Sequence, residues 1–194
     1  RGEPEHGAAG SEPAETSQRR RKRAKLGGMT GAAAFTTCDL ADAHPGDVQI
    51  AHPVFRDYGG QRSFAGPMST VRVYEDNILV RKALEEPGQG RVLVVDGGGS
   101  LRCALLGDVL AALGAQNGWA GVVIHGCVRD TEAVAQVPLG VKALAAHPMK
   151  SAKRGIGDRD IAVTFSGCTF RAGEWLYADA DGIVVAKTDL RVTP

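Results

Sequence analysis

The sequence predicts a single compact α/β domain with a partly parallel sheet and flanking helices, preceded by a disordered N-terminal extension. Three observations lead there. From Thr36 onward, short valine-rich apolar runs alternate with segments of helical periodicity. Glycine-rich turns punctuate the alternation, as expected where strands and helices follow one another closely. The first 28 residues share none of this texture.

That N-terminal segment reads as a domain boundary. RGEPEHGAAGSEPAETSQ contains no apolar residue larger than alanine, so it cannot bury enough surface to offset its ordering entropy. RRRKRAK, residues 19–25, follows as a block of like charge. Residues 1–28 hold seven Lys/Arg against four Asp/Glu, and the rest of the chain 16 against 18. The net charge of +1 therefore hides a basic tail on a slightly acidic body. Residues 1–28 are expected to be a disordered basic tail and 29–194 the folded domain, with Met29 an alternative start. The tail reads as a plain extension, a nuclear or organellar signal, or a patch for polyanions. Nucleic-acid binding through it would weaken steeply with salt.

Composition bounds the body. A hydrophobic content of 43% with 23% charged residues describes a soluble globular chain. No apolar run approaches the roughly 18 residues of a membrane span. Aromatic residues at 5% are too few for a stacking platform for single strands. Cys38, Cys103, Cys127 and Cys168 are scattered without zinc spacing and read as reduced, mostly buried thiols of an intracellular protein.

The elements follow in order. TTCDLADAHP is a short helix capped by Thr36 or Thr37 and stopped by Pro45. A strand is expected over Ser69–Tyr74, then a helix capped by Asp76 with Ile78, Leu79, Lys82 and Ala83 on one side. Val92–Val95 form a strand that runs into Gly97–Gly99. GDVLAALGAQNG is a helix with Val109, Leu110 and Leu113 on its apolar face and Gly118 beyond its end. GVVIHG is the next strand, broken by Gly126. VKALAAH, IAVTFSG and WLYADADGIVVA supply further strands, with Asp179 and Asp181 in a turn rather than an EF-hand.

Chemistry concentrates near GVVIHGCVRD. The triple glycine after Val95 does not have GxGxxG spacing and does not predict a dinucleotide site. Gly107–Asp108 opens a helix, leaving the Val109 and Leu110 amides free to bind a carboxylate; Asp108 reads equally as the helix cap. In a parallel sheet, Gly97–Gly99, Asp108 and Arg129–Asp130 could face one crevice at the strands' carboxyl ends. Arg129 there would clasp a carboxylate and Asp130 a hard divalent cation. From pattern alone, a surface ion pair is as good a reading of Arg129–Asp130. Arg102 is a candidate anion contact, while His125 and His147–Pro148 read as structural.

The stretches VLVVDGGGSLRCALLGD, NGWAGVVIHGCVRD, GVKALAAHPMKS and EWLYADADGIVV resemble the regulator of ribonuclease activity A family, which includes class II 4-hydroxy-4-methyl-2-oxoglutarate aldolases. The resemblance spans about Thr36–Val185 and implies a fold like the swivelling phosphohistidine domain. It implies a metal-dependent lyase that cleaves 2-oxo acids and decarboxylates oxaloacetate, using Mg²⁺ or Mn²⁺. By that resemblance Asp130 is the metal ligand and Arg129 the catalytic, substrate-contacting arginine. Asp108 is the second catalytic acid, and Gly107 with the Val109 and Leu110 amides binds the pyruvate carboxylate. The chain departs from the aldolase pattern at Ala133, where an acid is usual, with Glu132 one place early. The resemblance further implies a homotrimer or a hexamer of two trimers. Its other branch implies a non-catalytic protein that binds and inhibits a ribonuclease such as RNase E, or a helicase. No signature for S-adenosylmethionine is present, and neither Lys142 nor Lys150 is required as a Schiff-base lysine.

Overall fold

A computed structural model of the chain describes residues 35–191 together with Gly2. The expected disordered tail, with its basic run at 19–25, lies outside the described residues, as does Met29.

Helix α1 (Thr37–Ala43) begins as its sequence dictates, with the Thr36 side chain accepting the Asp39 amide at 3.0 Å. Strands β1 (Val48–Ile50) and β2 (Arg56–Asp57) are short edges. Next comes β3 (Phe64–Val73), then α2 (Ile78–Glu85) and β4 (Val92–Asp96). β5 (Ala104–Leu106), α3 (Asp108–Gln116) and β6 (Gly121–Val128) follow, then the four-residue α4 (Thr131–Val134) and β7 (Gly140–Ala146). The chain closes through β8 (Gly157–Arg159), β9 (Val163–Phe165), β10 (Cys168–Phe170), β11 (Trp175–Ala178) and β12 (Ile183–Ala186).

Ten strands form one mixed sheet in the order β1-β12-β11-β3-β4-β6-β7-β2, with β5 beside β6 and β8 beside β3; β9 and β10 pair separately. The β3–β4–β6–β7 centre is parallel and the remainder of the sheet antiparallel apart from β5. Val92–Val95 are fully buried because both faces of β4 are covered. Leu93 and Val95 meet Val80, Leu84 and Leu110 of α2 and α3, while Val92 and Val94 meet Phe165, Phe170 and Leu176. Gly121 and Gly140 open β6 and β7 under the Phe64 ring, where an added Cβ would sit 2.3 and 2.0 Å from ring carbons.

The structure corrects five expectations. The strand expected at Ser69–Tyr74 starts five residues earlier, because β11 pairs with Phe64–Pro67 and carries the ladder through Gly66 and Pro67. The buried side of α2 is Val80, Ala83 and Leu84, whereas Lys82 is exposed. Asp76 does accept the Ile78 amide at 2.9 Å, but Asn77 holds the cap position. Gly126 does not end its strand: β6 continues to Val128 across an irregularity in its pairing with β7 between Ile124 and Cys127. In α3, Val109 is 63% exposed and the buried face is Leu110, Ala111 and Gly114.

Cys103, Cys127 and Cys168 are buried free thiols, and Cys38 is exposed. Among the described residues no helix is long and apolar enough to cross a membrane. Asp179 does sit in the β11–β12 turn, where its carboxylate takes the Asp181 and Gly182 amides and both the amide and hydroxyl of Thr37.

These carboxylates set the acid response of the fold. Burial pushes the Asp76 and Asp179 carboxyls up, yet the hydrogen bonds they accept outweigh it and hold both below the usual range. Arg191 pulls Asp189 down to about 2. A carboxyl depressed in the folded state adds stability above its unfolded value of about 3.9 and loses it as pH falls through the folded value. The urea midpoint is therefore expected to hold between pH 7 and 5 and to fall steeply from pH 4 to 2. Asp179→Asn should flatten that decline; an equally steep decline in the variant would remove Asp179 from the explanation.

Candidate functional site

The site forms where β5 and β6 end side by side. The Arg129 amide donates to Leu106 O at 2.9 Å, which brings the residues after β6 against the Leu106–Asp108 corner. Gly107, extended at φ −132°, caps α3 and correctly replaces Asp108 in that role. The first ladder bond of α3 runs from the Ala111 amide to Gly107 O at 3.0 Å, so the Asp108, Val109 and Leu110 amides precede it. The Val109 amide is engaged by Asp108 Oδ1 at 2.8 Å, a departure from the free donor expected.

Asp130 sits at φ 54°, ψ 40°, a left-handed position that aspartate tolerates better than most residues. Its Oδ2 accepts from Arg129 Nε at 2.9 Å, so the two neighbours pair with each other. Among the described residues no hydrogen bond engages Nη1 or Nη2 of Arg129, which leaves that edge for an anion. The Arg129 guanidinium holds the Asp130 carboxyl below the usual range, assisted by hydrogen bonding from Asp108. Gly107 makes room for this: a Cβ there would lie 2.6 Å from Asp130 Oδ2 and 3.1 Å from Arg129 Cγ.

Gly107, Asp108, Val109, Leu110, Arg129 and Asp130 line one cavity of about 240 Å³. That is below the roughly 300–1,000 Å³ of pockets for drug-sized ligands and suits a small acid. The exposure of Val109 follows from its place on this wall.

A family model described as RraA-like, Aldolase/RraA, matches residues 37–185. The chain belongs to this family. RraA-like relatives include a protein of Alkalilimnicola ehrlichii, 62% identical over 79% of this chain and 96% of its own. Another, from Pseudomonas aeruginosa LESB58, is 54% identical over 81% and 98%. Both carry the name "Putative 4-hydroxy-4-methyl-2-oxoglutarate aldolase". Among solved RraA-like structures, the RNA-processing inhibitor RraA from Thermus thermophilis is 49% identical with a TM-score of 0.78, covering 82% of this chain and 98% of that one. A Geobacillus kaustophilus structure, titled as an S-adenosylmethionine: 2-dimethylmenaquinone methyltransferase, is also 49% identical, with a TM-score of 0.81 and coverage of 82% and 99%.

Among the described residues no group of three or more His, Cys, Asp or Glu side chains could hold a metal ion. Two carboxylates, Asp108 and Asp130, share the cavity. This fits a hard cation such as Mg²⁺, which is bound by one or two carboxylates and keeps waters and substrate oxygens. It does not fit a structural zinc site with four protein ligands.

Other expectations separate from this cavity. Gly98 of the glycine loop and Arg102 line a different cavity of about 760 Å³, and Arg102 Nε is bound to Glu75 at 2.6 Å. His125 stacks on Phe165 with centroids 4.6 Å apart, 3.6 Å from Asp96, in keeping with a structural role. Lys142 is buried against Asp57 at 2.8 Å. Glu132 and Ala133 are exposed on α4 and are not among the residues lining the cavity. Sequence reasoning missed Asn77, Arg81, Lys150, Ser151 and Lys153 on the cavity wall. The visible signal was a pair of lysines three apart, just past the carboxyl end of β7.

Proposed function

We propose that the protein is a divalent-metal-dependent lyase acting on 2-oxo acids. It cleaves substrates of the 4-hydroxy-4-methyl-2-oxoglutarate type to pyruvate by retro-aldol reaction, and it decarboxylates oxaloacetate. The observation that carries this reading is the meeting of Arg129, Asp130 and the start of α3 in one small cavity. The aldolase name borne by relatives up to 62% identical supports it.

Asp130 and Asp108 would hold Mg²⁺ or Mn²⁺, which supplies Lewis acidity at the 2-oxo and carboxylate oxygens. The start of α3, with Gly107 leaving room and the Leu110 and Val109 amides beside it, receives the substrate carboxylate. For the Val109 amide this requires release from Asp108 Oδ1. Arg129 offers its free Nη edge to the 2-oxo oxygen. As the C3–C4 bond breaks, its electron pair moves through C2 onto that oxygen, where the guanidinium meets the developing charge. The C4 hydroxyl proton leaves as the second carbonyl forms, and Asp108 moves protons to and from the reacting atoms through water. Protonation at C3 releases pyruvate. The same charge acceptor serves when the departing group is CO₂. The protein would work as a homotrimer or hexamer.

The regulator reading rests on kinship with the Thermus protein, whereas the paired charges on the cavity wall serve chemistry. The test is pyruvate release from oxaloacetate and from 4-hydroxy-4-methyl-2-oxoglutarate. Release is expected with Mg²⁺ or Mn²⁺, to stop on chelation, and to return on adding metal. Release no faster than with metal alone would overturn the reading, and inhibition of a ribonuclease by the same sample would then favour the alternative.

A further inference from the structure

Four cations, Arg81, Arg129, Lys150 and Lys153, line the proposed active cavity against two carboxylates, Asp108 and Asp130. Arg129 is matched by Asp130, and Arg81 is within 3.8 Å of Glu85. Neither Lys150 nor Lys153 forms an ion pair among the described residues. A divalent cation held by the two acids would increase the positive excess. One carboxylate and a 2-oxo oxygen at the α3 start and Arg129 would leave both lysines without an anion.

The lysines stand on a fixed segment, 147–156, which crosses between the two cavities; Lys150 lines both. The Ala104 amide donates to Met149 O at 2.8 Å, and the Ala152 amide to Glu75 O at 2.8 Å. The Asp76 carboxylate, on a residue only 2% exposed, takes the Arg154 amide and, at 2.9 Å, the Gly155 amide. Since that carboxylate also takes the Ile78 amide, the segment is tied to the start of α2. Ser151, between the lysines, lines the cavity with its hydroxyl buried and unpartnered among the described residues. A buried hydroxyl is costly to leave unsatisfied. Fixed backbone under both lysines means that little ordering is required when an anion arrives.

We infer that Lys150 and Lys153 form a second anion subsite, which takes the distal carboxylate of a 2-oxo diacid and makes diacids preferred over monoacids. The Asp76 carboxylate, through the Arg154 and Gly155 amides, anchors the segment that carries both lysines. This inference rests on the 2-oxo acid reading for the first subsite.

The test compares 2-oxoglutarate with 2-oxopentanoate, which has the same carbon chain and a methyl in place of the distal carboxylate. Neither is cleaved by the proposed chemistry, so affinity is read directly by calorimetry, with and without Mg²⁺. Wild-type protein is expected to favour 2-oxoglutarate by about tenfold or more, the ratio that one charge-assisted contact supplies. Lys150→Met and Lys153→Met should each erode the preference and the double variant abolish it, with pyruvate affinity unchanged. Equal affinities in the wild type, or a preference that survives in the double variant, would overturn the inference. A lysine-dependent preference without pyruvate release leaves the subsite standing and removes the lyase. Pyruvate release with equal affinities does the reverse.

Discussion

Asp130→Asn is expected to reduce metal-dependent pyruvate release to the metal-only background, a loss of at least about 10³-fold, because Lewis-acid stabilisation worth several kcal/mol disappears. Asparagine is the informative replacement. It keeps the size of the side chain and tolerates the left-handed backbone at φ 54°. It removes only the charge that would bind the cation. The thermal midpoint should therefore stay close to that of the wild type, while calorimetry with Mn²⁺ shows weakened metal binding. Retention of most of the activity would remove Asp130 from the metal site, whatever the stability result.

Gly107→Ala should be nearly as damaging by a different route. The backbone at φ −132° accommodates alanine, so the fold bears no conformational penalty. The new Cβ would sit 2.6 Å from Asp130 Oδ2 and 3.1 Å from Arg129 Cγ, which forces both charged groups to move. Displacement of reacting groups by about 1 Å can cost about 10²-fold in rate. The expected result is a drop of that order in kcat/KM with an unchanged melting curve. Normal kinetics in this variant would show that the Arg129–Asp130 arrangement is not the working one.

Much of the architecture was legible because local signals agreed with the tertiary environment. Val92–Val95 read as a strand and is buried on both faces, and Thr36 read as a cap and caps. Legibility failed where partners distant in sequence decide. The first half of β3 contains Gly66 and Pro67, which suggest a break, but pairing with β11 more than a hundred residues later makes it a strand. Val109 looked like core by periodicity, yet it stands on a cavity wall that only the packing of α3 against the end of β6 creates. At the site, position at strand and helix ends singled out Asp108, Arg129 and Asp130, but only the family resemblance gave them roles; the structure lines one cavity with all three and pairs Arg129 with Asp130. Gly97–Gly99 followed the same logic, yet none of the three lines this cavity, and Gly98 lines the neighbouring one. Lys153 went unnoticed and Lys150 was weighed only as a Schiff-base lysine, since their place on the cavity wall depends on backbone hydrogen bonds of their segment with Glu75, Asp76 and Ala104, which sequence spacing does not reveal.

Strand β3 belongs to two neighbourhoods at once, with Phe64–Pro67 laddered to β11 and Met68–Arg72 to β4. Peeling either half of the sheet open strips one end of the same strand, so neither half has an independent opening mode. Amide protons of β3 and β4 should then exchange with deuterium only through global unfolding, at one common free energy. The edge strands β1 and β2 would exchange faster. Such a protein would carry its small cavity on a frame that yields all at once, with no partly opened state in which the site alone comes apart.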